Sequence, residues 1–398
     1  MKRISQTEFI ALMAMLSATI AFSIDGMLPA LPEIGQELTP ENLNLAQLIL
    51  TSFVLGMGLG TMFTGPLSDR YGRKPIIIGG TILYIIGCIA AWLASNIEIM
   101  LAARVVQGLG AAAPRVVAMA LIRDLYSGAN MARIMSFVMV VFSMVPALAP
   151  TLGHYIMLGF GWRAIFAAFI LFSLIAMLWL WCRQPETLAP ENRRPLSTKA
   201  LGSAVAEMFA HPTARLSILI QTLTFGMLFI TLSSTQQIFD ITFGQGGYFH
   251  LWFGGIAIVA SSASLLNARL VVRVGMRAII KAMYMAQIVI TLVMVGITLL
   301  NGPYWLAFGI YVFWTASSFF QAGLTIGNLN ALAMEDMGHI AGLAASVIAA
   351  VATVGAVFIA VPVGLMFDGT PIPMGIGMLI CASLALYLTT RIKRPGEA

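Results

Sequence analysis

Two residues of opposite charge stand where an apolar sequence gives them least company. Asp25 lies near the end of the first apolar run, in Ile24-Asp25-Gly26-Met27-Leu28-Pro29, and Arg104 lies near the start of the fourth. A charged side chain in hydrocarbon costs several kcal/mol unless it faces a polar cavity or finds a partner, so an intramembrane acid and base invite a functional reading. Counting about 1.5 Å per helical residue along two runs of opposite direction puts both at similar depth, in the outer half of the membrane. A carboxyl that meets an arginine in one state and leaves it in another holds a proton with different strength in the two, and can therefore exchange protons across a barrier. The lesser alternative reads Asp25 as an interfacial cap at the exit of its run. Eleven residues beyond Arg104 comes Arg115, on the same helical face and roughly 16 Å away. It can anchor a carboxylate or phosphate, or snorkel to the interface past Arg123.

Those residues need helices to hold them in a membrane. Of the 398 residues, 59% are hydrophobic and only 10% charged, and mean hydropathy is +0.92, which excludes an ordinary soluble domain. Apolar runs of about twenty residues predict twelve spans, near 7–29, 44–66, 75–95, 98–121, 131–157, 162–182, 214–236, 248–268, 278–300, 303–329, 339–366 and 372–390. With the amino terminus inside, 19 of the 22 Lys and Arg fall at inner segments, so both termini are expected in the cytoplasm. Of the 16 Asp and Glu, only Asp25 falls within a span and away from the inner and outer segments, Glu8 and Glu98 lying at span ends. The net charge of +6 reflects this topology and contact with anionic lipid, with no need of nucleic acid. Cys88, Cys182 and Cys381 are scattered through apolar runs and offer neither a metal-ligand spacing nor a disulfide framework. No nucleotide-binding loop, metal cluster or nucleophile constellation stands in the chain, so an enzyme or an ATP-driven pump is not expected, nor is a cofactor.

The Pro- and Arg-rich stretch 184–212 divides the spans six and six, giving an expected 1–183 bundle, a cytoplasmic linker and a 213–398 bundle. The halves echo each other: Arg70-Tyr71-Gly72-Arg73 after span 2 matches Arg273-Val274-Gly275-Met276-Arg277 after span 8. Such a repeat suits an alternating-access transporter with its substrate site between the halves.

The segment Gly65-Pro66-Leu67-Ser68-Asp69-Arg70-Tyr71-Gly72-Arg73-Lys74 closely resembles the loop signature of the major facilitator superfamily. In the residues themselves, Asp69 at a helix N-terminus could pair with a base across the two halves, while Gly65 and Gly72 permit close packing and a tight turn. This latch of Gly65, Asp69, Arg70, Gly72 and Arg73 gates and does not bind substrate. Arg104-Val105-Val106-Gln107-Gly108 resembles the fourth-helix motif of that superfamily's proton-coupled drug exporters. Pro146-Ala147-Leu148-Ala149-Pro150-Thr151-Leu152-Gly153 resembles their antiporter motif, with two prolines expected to kink span 5. With Asp25-Gly26-Met27-Leu28-Pro29, Gly161-Trp162-Arg163 and Pro185-Glu186-Thr187-Leu188, and more weakly Asn267-Ala268-Arg269-Leu270, the resemblance narrows to the bicyclomycin/chloramphenicol-resistance (Bcr/CflA) group.

The resemblance implies an all-α fold of twelve transmembrane helices in two pseudo-symmetric six-helix bundles, working as a monomer in the bacterial inner membrane. It implies export of small amphipathic drug-like molecules in exchange for protons, with the proton gradient as energy source, and Asp25 and Arg104 as the coupling residues. Arg115 departs from the family pattern and favours an endogenous anionic metabolite, such as a siderophore, as the alternative cargo. His154, where the family often has glycine, is a second titratable candidate. A ligand sensor without turnover, or proton-driven uptake, fits the latch and the span 5 motif less well. Gln107, Gln221, Tyr311, Trp314 and Gln321 are the other candidates for substrate contact, while Gly56, Gly58 and Gly60 are assigned to helix packing.

Overall fold

The computed structural model describes residues 4–193, 195, 198–335 and 337–392. Lys2, Arg3, Arg194, Lys393 and Arg394 of the basic count, and Asp336 and Glu397 of the acidic one, lie outside the described residues.

In hydrocarbon every backbone N–H and C=O must be satisfied within its own segment, and twelve long helices do this here. In chain order they are α1 (Gln6–Asp25), α3 (Leu48–Tyr71), α4 (Arg73–Trp92), α5 (Ile97–Leu125), α6 (Gly128–Phe160), α7 (Arg163–Arg183), α9 (Pro212–Gln237), α10 (Phe249–Val274), α11 (Met276–Leu299), α12 (Tyr304–Ala333), α13 (Ala341–Leu365) and α14 (Ile372–Thr390). Two shorter helices, α2 (Leu31–Leu38) and α8 (Thr198–Ala210), join them, and no strand occurs among the described residues. Eleven of the long helices are apolar enough to cross a membrane by length and composition. The other, α12, has ample length at 30 residues, but its Tyr, Trp, Ser, Thr, Gln and Asn side chains dilute its apolar character. Those side chains are tolerated because α12 packs against α9, α10 and α11 within its bundle.

The chain divides into two compact units, residues 1–200 and 201–398. In the first, α5 lies against α3 and α4, and α1 against α6, α5 and α7. Phe9, Leu12, Met13 and Leu16 of α1 meet Ile77, Val117, Leu121, Ile134, Val138 and Leu180 from the other helices in a buried cluster. In the second unit, α9 packs on α13, α12 and α14. The predicted linker is not all irregular: its last part forms α8, whose Met208 is buried with Ile218, Met337, Val347 and Ile348 in the second unit.

The internal echo is realised in the backbone. Gly72 and Gly275 each end one helix and begin the next, at φ +104° and +84°, a region that an L side chain enters only with strain. Two further pairs repeat about half a chain apart. Ser23 Oγ and the Tyr84 hydroxyl lie 2.6 Å apart, as do Thr224 Oγ1 and the Tyr284 hydroxyl. Arg73 Nε binds Asp124 at 2.9 Å, and Arg277 Nη2 reaches Glu335 at 3.5 Å.

One expectation is corrected here. Span 1 was expected to run to residue 29, but α1 stops at Asp25, followed by a tight turn over Leu28–Ala30 and then α2. Pro29 and Pro32 lack the N–H that would carry the helix onward. The two prolines expected to kink span 5, Pro146 and Pro150, lie inside α6, which runs from residue 128 to 160.

Candidate functional site

Close packing of α3, α4 and α5 sets the position of Arg104. A methyl group added at Gly56 would meet the Val105 carbonyl oxygen at 2.1 Å, and one at Gly108 would meet that of Phe53 at 2.0 Å. The two backbones therefore touch, as small residues allow in membrane helices. Arg104, with no exposed surface, is drawn between them. Its Nε donates to the Ile49 carbonyl at 3.1 Å, Nη2 to the Ser23 carbonyl at 3.1 Å, and Nη1 to Gln107 Oε1 at 2.6 Å. The guanidinium also lies over the Phe53 ring, 4.5 Å from its centre. Gln107 in turn donates to Cys88 Sγ at 3.0 Å. Its amide is thus committed to this network, which in this structure leaves it no free group for a substrate.

Asp25 closes α1 two residues beyond Ser23 and keeps only 6% of its surface exposed. The expected Asp25–Arg104 ion pair is absent among the described residues: Arg104 binds the α1 backbone at Ser23 and not the carboxylate. Carbonyl oxygens from two neighbouring helices already occupy the guanidinium fork, so the charge is satisfied without Asp25. The antiporter-motif helix nonetheless reaches this turn. A methyl group at Gly153 of α6 would meet the Gly26 carbonyl oxygen at 2.0 Å, so only glycine lets α6 lie on the residue after Asp25. His154 next to it is half-buried, with its ring 5.6 Å from that of Tyr155.

Arg115 is exposed on the surface of α5, and its guanidinium lies 5.8 Å from the centre of the Phe142 ring of α6. No ion pair joins it among the described residues. The polar candidates of the second unit are buried. Trp314 Nε1 donates to Thr291 Oγ1 at 2.9 Å, and Tyr311 packs among Phe239, Phe243 and Trp314. Gln321 Nε2 donates to Thr325 Oγ1 at 3.2 Å, while Gln221 Oε1 and Gln321 Oε1 have no hydrogen-bond partner among the described residues.

The latch residues gather around Arg73, which is 8% exposed. Its Nη1 binds Asp69 Oδ1 at 2.5 Å and Ser68 Oγ at 2.8 Å, and its Nε binds Asp124 Oδ2 at 2.9 Å. Asp69 was expected at a helix N-terminus. It stands instead in the last turn of α3 and pairs with the base four residues on. The N-terminus of α4 is occupied by Glu186, whose carboxylate accepts the backbone N–H groups of Arg73 and Lys74, each at 3.0 Å. Glu186 lies close enough to Gly72 that a methyl group there would stand 2.6 Å from Oε2. Arg70 is exposed over the Tyr71 ring, and Gly65 is half-buried in α3. Sequence reasoning recorded Pro185-Glu186-Thr187-Leu188 only as a family mark, and its capping role was missed.

Comparison with known proteins agrees with this architecture. The Major Facilitator Superfamily profile matches residues 10–360. The bicyclomycin resistance protein homolog of Haemophilus influenzae is 30% identical over 397 residues, covering 96% of each chain. A chloramphenicol resistance protein of Pseudomonas aeruginosa is 33% identical over 186 residues, which cover 46% of this chain and 44% of the other. Among solved structures, a D-xylose-proton symporter superposes with a TM-score of 0.77 over 96% of this chain and 97% of that one; at 15% identity this speaks for the fold alone. The chain thus belongs to the Major Facilitator Superfamily of membrane transporters, is not an enzyme, and is similar along its whole length to a drug-resistance member of that family.

Proposed function

We propose that the chain exports small amphipathic drug-like molecules from a bacterial cell across the inner membrane, by alternating access and in exchange for protons. Asp25 is the proton carrier. The observation that carries this reading is the Asp25 turn: one carboxylate, buried at the end of α1, with the antiporter-motif Gly153 seated on the next residue. An ionisable group in such a place is costly unless it works. The gradient needs no organic cofactor, and the chain acts as a monomer with both termini in the cytoplasm. The drug-resistance relatives support the class of cargo. The test is ligand-driven pH change in proteoliposomes holding the purified chain, screened with bicyclomycin, chloramphenicol and a panel of anionic metabolites. A ligand that moves protons in step with its own transport supports the proposal. Transport without any proton movement overturns it.

Arg115 favours a second reading, export of an endogenous anionic metabolite such as a siderophore, because its guanidinium has no carboxylate partner among the described residues. Arg115→Ala is expected to reduce transport of anions about tenfold and to spare neutral and cationic compounds, as befits one charge-assisted contact. Equal loss for cargo of every charge, measured in the same vesicles, assigns Arg115 to structure instead.

The latch makes a separate prediction. Asp69→Asn leaves Arg73 with Asp124 but removes one of its two carboxylates. The maximal transport rate is expected to fall severalfold while equilibrium affinity for cargo stays within about threefold, because the change biases conformations and touches no cargo. A large loss of affinity counts against a gating role.

A further inference from the structure

On the far ends of the same helices from the latch, three connections meet at one carboxylate. Glu37 of α2 accepts the indole N–H of Trp162 at 2.7 Å on Oε2 and Arg163 Nη1 at 2.7 Å on Oε1. Arg163 also donates through Nη2 to the Ala94 carbonyl at 3.2 Å, and its guanidinium lies 4.1 Å from the centre of the Trp162 ring. The indole is 2% exposed, whereas the ion pair itself is open to solvent. An exposed ion pair alone contributes little. The buried indole donor, whose partner among the described residues is Glu37, gives the contact its weight.

The three connections are those that govern the site. Ala94 precedes α5, and Arg104 lies seven residues into that helix. Trp162 follows α6, and Gly153 lies seven residues before its end. Glu37 lies in the last turn of the short α2, which follows α1 through the turn over Leu28–Ala30. Across that turn the regular α-helical ladder gives way to tighter bonds, Met27 N–H to Ile24, Ala30 N–H to Met27 and Leu31 N–H to Leu28, so side chains help to fix where α2 lies. Met27 and Leu28, between Asp25 and α2, are fully buried under this arrangement.

We propose that Glu37, Trp162 and Arg163 are positioning residues that clamp α2 over the Asp25 turn and so control solvent access to it. The inference rests on the reading of Asp25 as proton carrier, but its test does not. In a chain with Cys88, Cys182 and Cys381 replaced by Ser, Met27→Cys supplies a thiol within the turn, and its labelling by a water-soluble maleimide is timed in the purified chain in detergent. Adding Glu37→Ala, which leaves the indole and guanidinium without their acceptor, is expected to speed labelling about tenfold, the factor one orphaned buried donor is worth. Trp162→Phe is expected to act in the same direction, and Arg163→Lys, which keeps the charge, to stay nearer the parent. Thermal melting within a few degrees of the parent shows that the variants are folded. Folded Glu37→Ala and Trp162→Phe variants that label within twofold of the parent overturn the clamp, whatever carries the proton. Conversely, accelerated labelling in a chain whose Asp25→Asn variant still moves protons upholds the clamp and rejects Asp25 as carrier. If Glu37→Ala does not fold, Trp162→Phe decides the matter alone.

Discussion

Asp25→Asn is expected to bind cargo and to lose transport driven by a pH gradient. The amide keeps the shape of the side chain at the end of α1 but has no acid proton to exchange. For a neutral cargo traded for one proton, each unit of pH gradient contributes about 1.4 kcal/mol, or tenfold in accumulation, and all of that is expected to vanish. Downhill exchange is expected to persist in part, because Gly153 still seats on Gly26 and Arg104 keeps its bonds to Ser23, Ile49 and Gln107. The two effects separate in one preparation: accumulation is measured with an imposed pH gradient, exchange with cargo on both sides and no gradient. A variant that alkalinises or acidifies the vesicle lumen at the parental rate during transport shows that Asp25 is not the carrier. His154, beside Gly153 on α6, is then the next residue to substitute.

The course of the chain was largely legible because the membrane imposes its rules locally. A run of twenty apolar residues announces a helix whatever its neighbours. Gly72 and Gly275 announced their turns because positive φ selects glycine. Even the break after Asp25 was written in Pro29 and Pro32, although the apolar run continues past it and hid the helix end. The site was legible in residue types and not in pairings. Arg104 was singled out as an arginine that needs an acid, yet two of its three partners are backbone carbonyls, at Ser23 and Ile49. Every residue has a carbonyl, so no sequence pattern marks the ones that are used. Gln107 is the exception, since a side chain three residues on shares a helical face with Arg104. The same reasoning explains why nothing in the sequence marks Glu37: Trp162, which it holds, lies 125 residues away. Glu186 likewise caps a helix more than a hundred residues upstream.

Arg104→Ala is expected to be the most destabilising single change in the first unit. It deletes a guanidinium with no exposed surface, together with its stacking on Phe53. It removes the guanidinium's bonds to the Ser23 and Ile49 carbonyls and leaves the buried Gln107 amide oxygen without its donor. An orphaned buried acceptor costs ~1–3 kcal/mol, and removing one member of a buried charged network typically costs about 3–5 kcal/mol. At roughly 2–4 °C per kcal/mol for a unit of this size, the melting temperature in detergent should fall by about 10 °C. Arg104→Lys tests the geometry. An ammonium presents three donors from a single point and cannot span acceptors on α1, α3 and α5 as the planar fork does, so it should recover less than half of the loss. Transport falls with stability if the arginine is chiefly the bolt that joins these three helices. If Arg104→Ala instead melts within about 2 °C of the parent, a shift worth at most about 1 kcal/mol, and still fails to transport, the bonds to Ser23 and Ile49 are expendable. The guanidinium then owes its place to a state in which it turns to Asp25.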